Sequence, residues 1–335
     1  MLGRHRGRVF LLMSRLSFEM ADVLVYDPVS SNRNATRASL YTIGFRRIET
    51  VAAVDAFVES VRRRPPDLTL CEVQGTEAEI CDVIQTLRQG VSTYNPFIVI
   101  IVTAWEQTSA LVNRVLNAGA DDLLLRPFST TTLQARISGH IERRKGFVVT
   151  TDYVGPDRRR VGDTRPSNVN IFEPPNSLRM KALERLTSEE ATQRLDRELR
   201  IARDLLSTEK LRRDAFQLCI LWRLMSDKDP ASGDYEDDLA RLRDKTRAIS
   251  RRCADTAFDK AIEWCESVQA AIEGLEVGID RNASMHMLGH ASLNLCAIFT
   301  PDKTEQEHLE EVDATISMIK ARNATKPVAQ SSSAA

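Results

Sequence analysis

The sequence predicts a chain in two parts, an α/β domain on a five-stranded, doubly wound parallel sheet and then an all-α helical bundle. Three observations carry this. From 21 to 145, short continuous apolar runs alternate with helical stripes, the pattern of strands buried on both faces and joined by crossover helices. Glycines at 44, 75, 90 and 119 fall between those segments, where the chain must turn. Beyond about residue 182 the apolar positions recur at spacings of three and four and aromatic residues thin out, as in packed helices.

The elements follow in order. Residues 1–20, "MLGRHRGRVFLLMSRLSFEM", read as a basic tail, with Met13 and Met20 as alternative starts and structure beginning at Ala21. The apolar stretch inside that tail is too short for a signal-peptide core or a membrane span. Strands are expected at 22–27, 47–52, 68–73, 97–104 and 122–127, and helices at 32–43, 54–64, 77–89, 109–118 and 131–145. Residues 146–182 lose periodicity and gather Pro, Asn and Arg, so they read as a linker. A bundle domain is expected over 183–323, with helices at 183–226, 238–279, 283–299 and 304–321 and an acidic turn, "DKDPASGDYEDD", after the first. On the second helix Ile249, Cys253, Ala257, Ala261, Cys265, Val268, Ile272 and Leu275 form one stripe. Residues 324–335 read as a disordered tail.

Composition narrows the function. Lys plus Arg (46) and Asp plus Glu (47) nearly cancel, so no global charge draws the chain to nucleic acid or a membrane surface, and the expected partners are proteins. The six cysteines show no CxxC spacing, which argues for buried thiols in a reducing, cytoplasmic setting rather than a zinc module or disulfide framework.

In an open parallel sheet, ligand chemistry gathers outside the carboxyl ends of the strands. The residues there are Asp27, Glu72, Thr103 with Ala104, and Arg126 followed by Pro127. Two acids, a hydroxyl and a cation suit a phosphoryl or metal site. Over 21–145 the stretches "VLVYDP", "PDLTLCE", "VTA" and "AGADDLLLRPF" resemble, in order, the receiver domain of bacterial response regulators, which has a flavodoxin-like fold. The resemblance implies a phosphoacceptor position at Glu72, an Mg²⁺-binding acid at Asp27, and phosphoryl contacts from Thr103 and from the residue before Pro127.

The pattern departs from that family at four positions. Pro28 stands where a second acid is usual, Glu72 where an aspartate is, Arg126 where a lysine is, and Leu123 where a switch aromatic is. Losing one carboxylate weakens an Mg²⁺ site, leaving Asp27 as a weak candidate ligand. The longer side chain of Glu72 spoils in-line attack, and the fork of Arg126 suits a standing pair with a carboxylate. Glu72 and Arg126 are therefore expected to pair and hold a fixed state.

Two further motifs stand outside that site. Arg158, Arg159, Arg160 and Arg165 raise a PilZ-type reading, in which paired arginines clamp a cyclic dinucleotide, but "NSLRM" lacks that motif's spacing and glycine; a solvated basic linker is expected. "MHMLGHASLNLCA" (285–297) resembles the histidine segment of phosphotransfer domains, with His286 at the phosphotransfer position. Gly289 replaces that motif's lysine and His290 its glycine. His286 and His290 also make half a metal site, or two ordinary helix histidines.

Together these readings give a cytoplasmic two-component signalling protein with no enzymatic output. Its atypical receiver would work through protein–protein contacts with a kinase, phosphotransfer or output partner, or with a second copy. The alternative is a phosphorelay carrier accepting a phosphoryl group at Glu72 or His286.

Overall fold

The computed structural model describes residues 16–90, 95–150, 152–159, 170–184, 186–254, 256, 258–278 and 280–324. They divide into two compact units whose boundary falls between Leu205 and Leu206.

The first unit carries five parallel strands, β1 (Asp22–Tyr26), β2 (Arg47–Val51), β3 (Leu68–Glu72), β4 (Val99–Ala104) and β5 (Asp122–Leu125), in the order β2-β1-β3-β4-β5. Helices α1 (Ser30–Ile43), α2 (Val54–Arg63), α3 (Glu77–Gln89), α4 (Ser109–Ala118) and α5 (Thr130–Glu142) connect and flank them. This is the expected doubly wound sheet, with ends shifted by at most three residues. Side chains alternate across the pleat, so each strand feeds two cores. Leu24, Tyr26, Cys71, Ile100 and Val102 pack with Phe57 of α2 and Ile80 and Ile84 of α3. Val23, Val25, Leu68, Leu70, Val99 and Ile101 pack with Leu40 of α1 and Leu133, Ile137 and Ile141 of α5.

The expected linker at 146–182 is corrected by what its described residues form. Strands β6 (Phe147–Val149), β7 (Val154–Pro156) and β8 (Ile171–Phe172) make an antiparallel sheet in the order β7-β6-β8, and α6 (Ser177–Ala182) follows. Strands of two and three residues are too short to show a period of two, so the sequence pattern hid them. Phe147 is fully buried, with rings of Phe97 and Phe172 5.7 and 6.3 Å away. Leu178 and Ala182 of α6 join the same core as Val23 and Leu70. Gly119, at φ +99°, permits this docking, because a Cβ there would lie 2.7 Å from the carbonyl oxygen of Val154.

The buried Arg88 ties these pieces together. It donates to the carbonyls of Gly119, Pro96 and Ile98 and to Asp121 Oδ2 at 2.7 Å, and Arg144 Nε reaches the other oxygen of Asp121 at 2.8 Å. Burial pushes the Asp121 carboxyl up, but the two guanidiniums outweigh it and hold the group below the ordinary carboxylate range. The expected tail at 1–20 is also shorter: Phe18 is buried 4.6 Å from the Phe45 ring and the Ser17 amide donates to Ala182. Met13, Arg160, Arg165, Ala257 and the end from 325 lie outside the described residues.

The remaining helices are α7 (Ser188–Ser226), α8 (Gly233–Cys253), α9 (Lys260–Val277), α10 (Arg281–Phe299) and α11 (Glu305–Ala324). The boundary between the units lies inside α7, so the expected bundle domain at 183–323 is corrected at its start. α7 begins at 188 rather than 183 because Thr187 and Glu190 cap it reciprocally, the Thr187 hydroxyl accepting from the Glu190 amide and the Glu190 carboxylate from the Thr187 amide. The single helix expected over 238–279 is two. Thr256 breaks it by donating to the Cys253 carbonyl and accepting from the Phe258 amide, a local alternative to the helical ladder. The second unit closes on one core including Leu211, Leu242, Ile249, Val268, Leu288 and Phe299.

Candidate functional site

The site lies at the carboxyl edge of the parallel sheet. β1 ends one residue before Asp27, β3 ends on Glu72, β4 delivers Thr103, and β5 leads into Arg126 and Pro127. Parallel pairing sets Glu72 beside Thr103 directly across the β3–β4 ladder. The four strands thus bring Asp27, Glu72, Thr103 and Arg126 together from positions as much as 99 residues apart.

Arg126 is the centre of the arrangement. Its Nε donates to Glu72 Oε2 at 2.7 Å, and its Nη2 donates to Asp27 Oδ2 at 3.0 Å and to Thr36 Oγ1 at 3.1 Å. The side chains of Arg126, Glu72 and Asp27 are 8%, 2% and 0% exposed, so water screens these pairs little. The Phe128 ring lies 4.9 Å from the guanidinium carbon.

The other carboxylate oxygens are engaged as well. Glu72 Oε1 accepts from the Val73 and Gln74 amides at 3.2 and 3.1 Å, and Oε2 accepts from the Thr103 hydroxyl at 2.9 Å. Asp27 Oδ1 accepts from the Val29 amide at 2.9 Å. Every oxygen of the two acids therefore has a donor within the fold. Burial pushes the Asp27 carboxyl above its ordinary value, and the Val29 amide and Arg126 draw it back only in part. Cys71, next to Glu72, is fully buried and its thiol is pushed up to about 12 by that burial, which makes it a packing residue.

Sequence reasoning missed Thr36. It lies on α1 one turn before Leu40, and both are buried, so the available signal was a hydroxyl on the core stripe of that helix. It also missed the Val29 amide, which no side-chain motif can report.

The other candidates lie elsewhere. Arg158 stacks 3.5 Å from the centre of the Tyr153 ring and donates to Asn117, and Arg159 pairs with Asp157 at 3.0 Å, so both are engaged locally. His286 is exposed on α10. Gly289, one turn on, is buried, and a Cβ there would meet Trp222 at 2.3 Å. No longer side chain, and so no lysine, fits at 289 against that indole. His290 packs edge-on to Trp264 with ring centres 5.3 Å apart.

Residues 23–138 match the family model described as the response regulator receiver domain. The chain is 34% identical over 124 residues to the transcriptional regulatory protein ZraR of Klebsiella oxytoca, covering 37% of this chain and 27% of that protein. It is 29% identical over 124 residues to the KDP operon transcriptional regulatory protein KdpE of Escherichia coli (strain K12), covering 37% of this chain and 52% of that one. The chain thus spans from about a quarter to a half of the length of these relatives. A crystal structure of a response regulator from Thermotoga maritima aligns at 23% identity with a TM-score of 0.32, covering 35% of this chain and 94% of that one. Residues 23–138, which include Asp27, Glu72, Thr103 and Arg126, form a response regulator receiver domain of two-component signalling.

Proposed function

We propose that this receiver domain is a pseudo-receiver, held in one state by Arg126 and acting through protein–protein contacts rather than through phosphorylation. The observation that carries the reading is the buried fork of Arg126 between Glu72 and Asp27. In a working receiver the acceptor carboxylate must be free to attack, and a cation must be free to meet the incoming phosphoryl oxygens. Here one guanidinium bridges both acids, and Glu72 is tied down by four donors.

The donor set does not fit Mg²⁺. The ion requires near-octahedral oxygen ligands, whereas the oxygens of Asp27 and Glu72 already accept from Arg126, Thr103 and backbone amides, and Pro28 offers no carboxylate. No step through the metal is assigned. The partners are signalling proteins: a kinase, a phosphotransfer or output protein, or a second copy of the chain. The transcriptional output in the relatives' names is not carried over, because each match covers 37% of this chain. Among the described residues no helix is long and apolar enough to cross a membrane, which accords with a cytoplasmic protein.

The second reading is a phosphorelay carrier, and the exposure of His286 favours it. Against it stands Gly289 under Trp222, which excludes the cation that would draw a phosphoryl group. Incubating the full chain with acetyl phosphate and Mg²⁺, then measuring covalent phosphate by intact mass, separates the readings. The pseudo-receiver takes up none. Stoichiometric phosphate on Glu72 overturns it, and phosphate on His286 supports the carrier.

A further inference from the structure

A cavity of about 630 Å³ opens at the opposite, amino-terminal edge of the parallel sheet, bounded by the starts of β1 and β2, the turn before β3, α6 and the first half of α7. It is separate from the Arg126 site and within the size range of small-molecule sites. We propose that it binds a phosphate-bearing small molecule.

The buried acid of the cavity, Asp67, accepts from Lys181 Nζ at 2.8 Å, and its neighbour Asp22 accepts from Lys181 at 3.0 Å and Arg64 at 2.7 Å. Both carboxylates are therefore paired with cations. Asp196 is exposed and unpaired among the described residues, and the other groups left over are donors. Asn95 is 5% exposed, and its Oδ1 accepts from the Phe97 amide at 2.9 Å while its Nδ2 has no partner among the described residues. Ser177 is 6% exposed, and its hydroxyl is likewise without a partner there. Both residues line the cavity, so their donors are open to an acceptor-rich ligand that would displace no contact within the fold.

Charge points the same way. Five basic and three acidic side chains line the cavity. Arg47 and Arg200 have no carboxylate partner among the described residues; Arg47 donates to the Met20 sulfur at 3.5 Å. Two guanidiniums with an amide and a hydroxyl form a donor set suited to the terminal oxygens of a phosphate. Pro65, Leu195 and Leu199 supply an apolar wall for the rest of the molecule.

Isothermal titration calorimetry on the full chain, at matched ionic strength, tests the site with adenosine monophosphate and inorganic pyrophosphate as probes and adenosine as the phosphate-free control. Saturable one-site binding is expected for at least one phosphate probe and not for adenosine. Arg47→Gln and Arg200→Gln, at positions outside the core, are each expected to weaken binding about tenfold, and the double variant to abolish it. No saturable binding of either phosphate probe overturns the proposal. So does equal binding by the double variant, or adenosine binding as tightly as its monophosphate.

Discussion

Replacing Arg126 by methionine removes the cation of the site and keeps most of its volume. The change deletes donors to Glu72 Oε2, Asp27 Oδ2 and Thr36 Oγ1, and leaves two buried acids without their shared counter-charge. Removing one partner of a buried ion pair typically costs about 3–5 kcal/mol. Arg126→Lys keeps a charge but loses the fork, so a smaller loss of about 1–2 kcal/mol is expected. Because the chain has two units, one global unfolding curve would mix them. Urea-dependent hydrogen exchange read by mass spectrometry on peptides containing Leu68–Glu72 isolates the receiver. The loss is also expected to depend on pH. The Asp27 carboxyl already lies above its ordinary value of 3.8, and losing Arg126 raises it further. A raised folded-state carboxyl contributes stability that is present at low pH and lost as pH rises through that raised value. The deficit of Arg126→Met is therefore largest near neutrality and shrinks on acidification. A loss below about 1 kcal/mol, or one independent of pH, would refute the view that this guanidinium is the shared counter-ion of two buried carboxyls.

Three other outcomes follow from the structure. Asp121 lies below the ordinary range, so its contribution is present above the unfolded value of 3.8 and is lost as pH falls through the depressed folded value; Asp121→Asn is expected to weaken β4 protection by about 3 kcal/mol at pH 7 and by less in acid, read by the same exchange assay. Lys210 of α7 is pushed down to about 7 by burial and by Arg252, so the unfolded chain binds more protons between about 7 and 10.5 and stability rises with pH there. The difference between the wild type and Lys210→Met, from chemical denaturation at pH 7 and 9, should change in favour of the wild type by up to about 1.4 kcal/mol per pH unit. Gly289→Ala sets a Cβ against Trp222 and should cost about 1–3 kcal/mol by overpacking, with Trp222→Leu restoring part of the loss in the double variant; differential scanning calorimetry reads both.

Much of the receiver was legible because its strands are buried on both faces and read as unbroken apolar runs, such as "VIIVTA" at β4. The strand-end rule then named Asp27, Glu72, Thr103 and Arg126 without any contact being known. The chemistry of a fork beside a carboxylate suggested a Glu72–Arg126 pair, but the share that Asp27 and Thr36 take of the same guanidinium depends on how β1 and α1 stand around β5. Arg88 shows the limit more sharply. In the last turn of an amphipathic helix it reads as a solvated cation, yet it is buried among three carbonyls and Asp121. Those partners come from two separate connections, the one before β4 and the one before β5, which no local pattern encodes. In the helical half, periodicity gave the helices but not their breaks, since a threonine that turns a chain and one that stays within a helix look alike in sequence.

The most direct test of the locked receiver is the urea midpoint for hydrogen exchange of its Leu68–Glu72 peptides with and without Mg²⁺ and beryllofluoride, measured on the full chain. A ligand that binds only the folded state raises the midpoint by mass action. The account predicts an unchanged midpoint for the wild type, because Arg126, Thr103 and backbone amides already occupy the oxygens of Glu72 and Asp27. A saturable rise that requires both Mg²⁺ and beryllofluoride would contradict it.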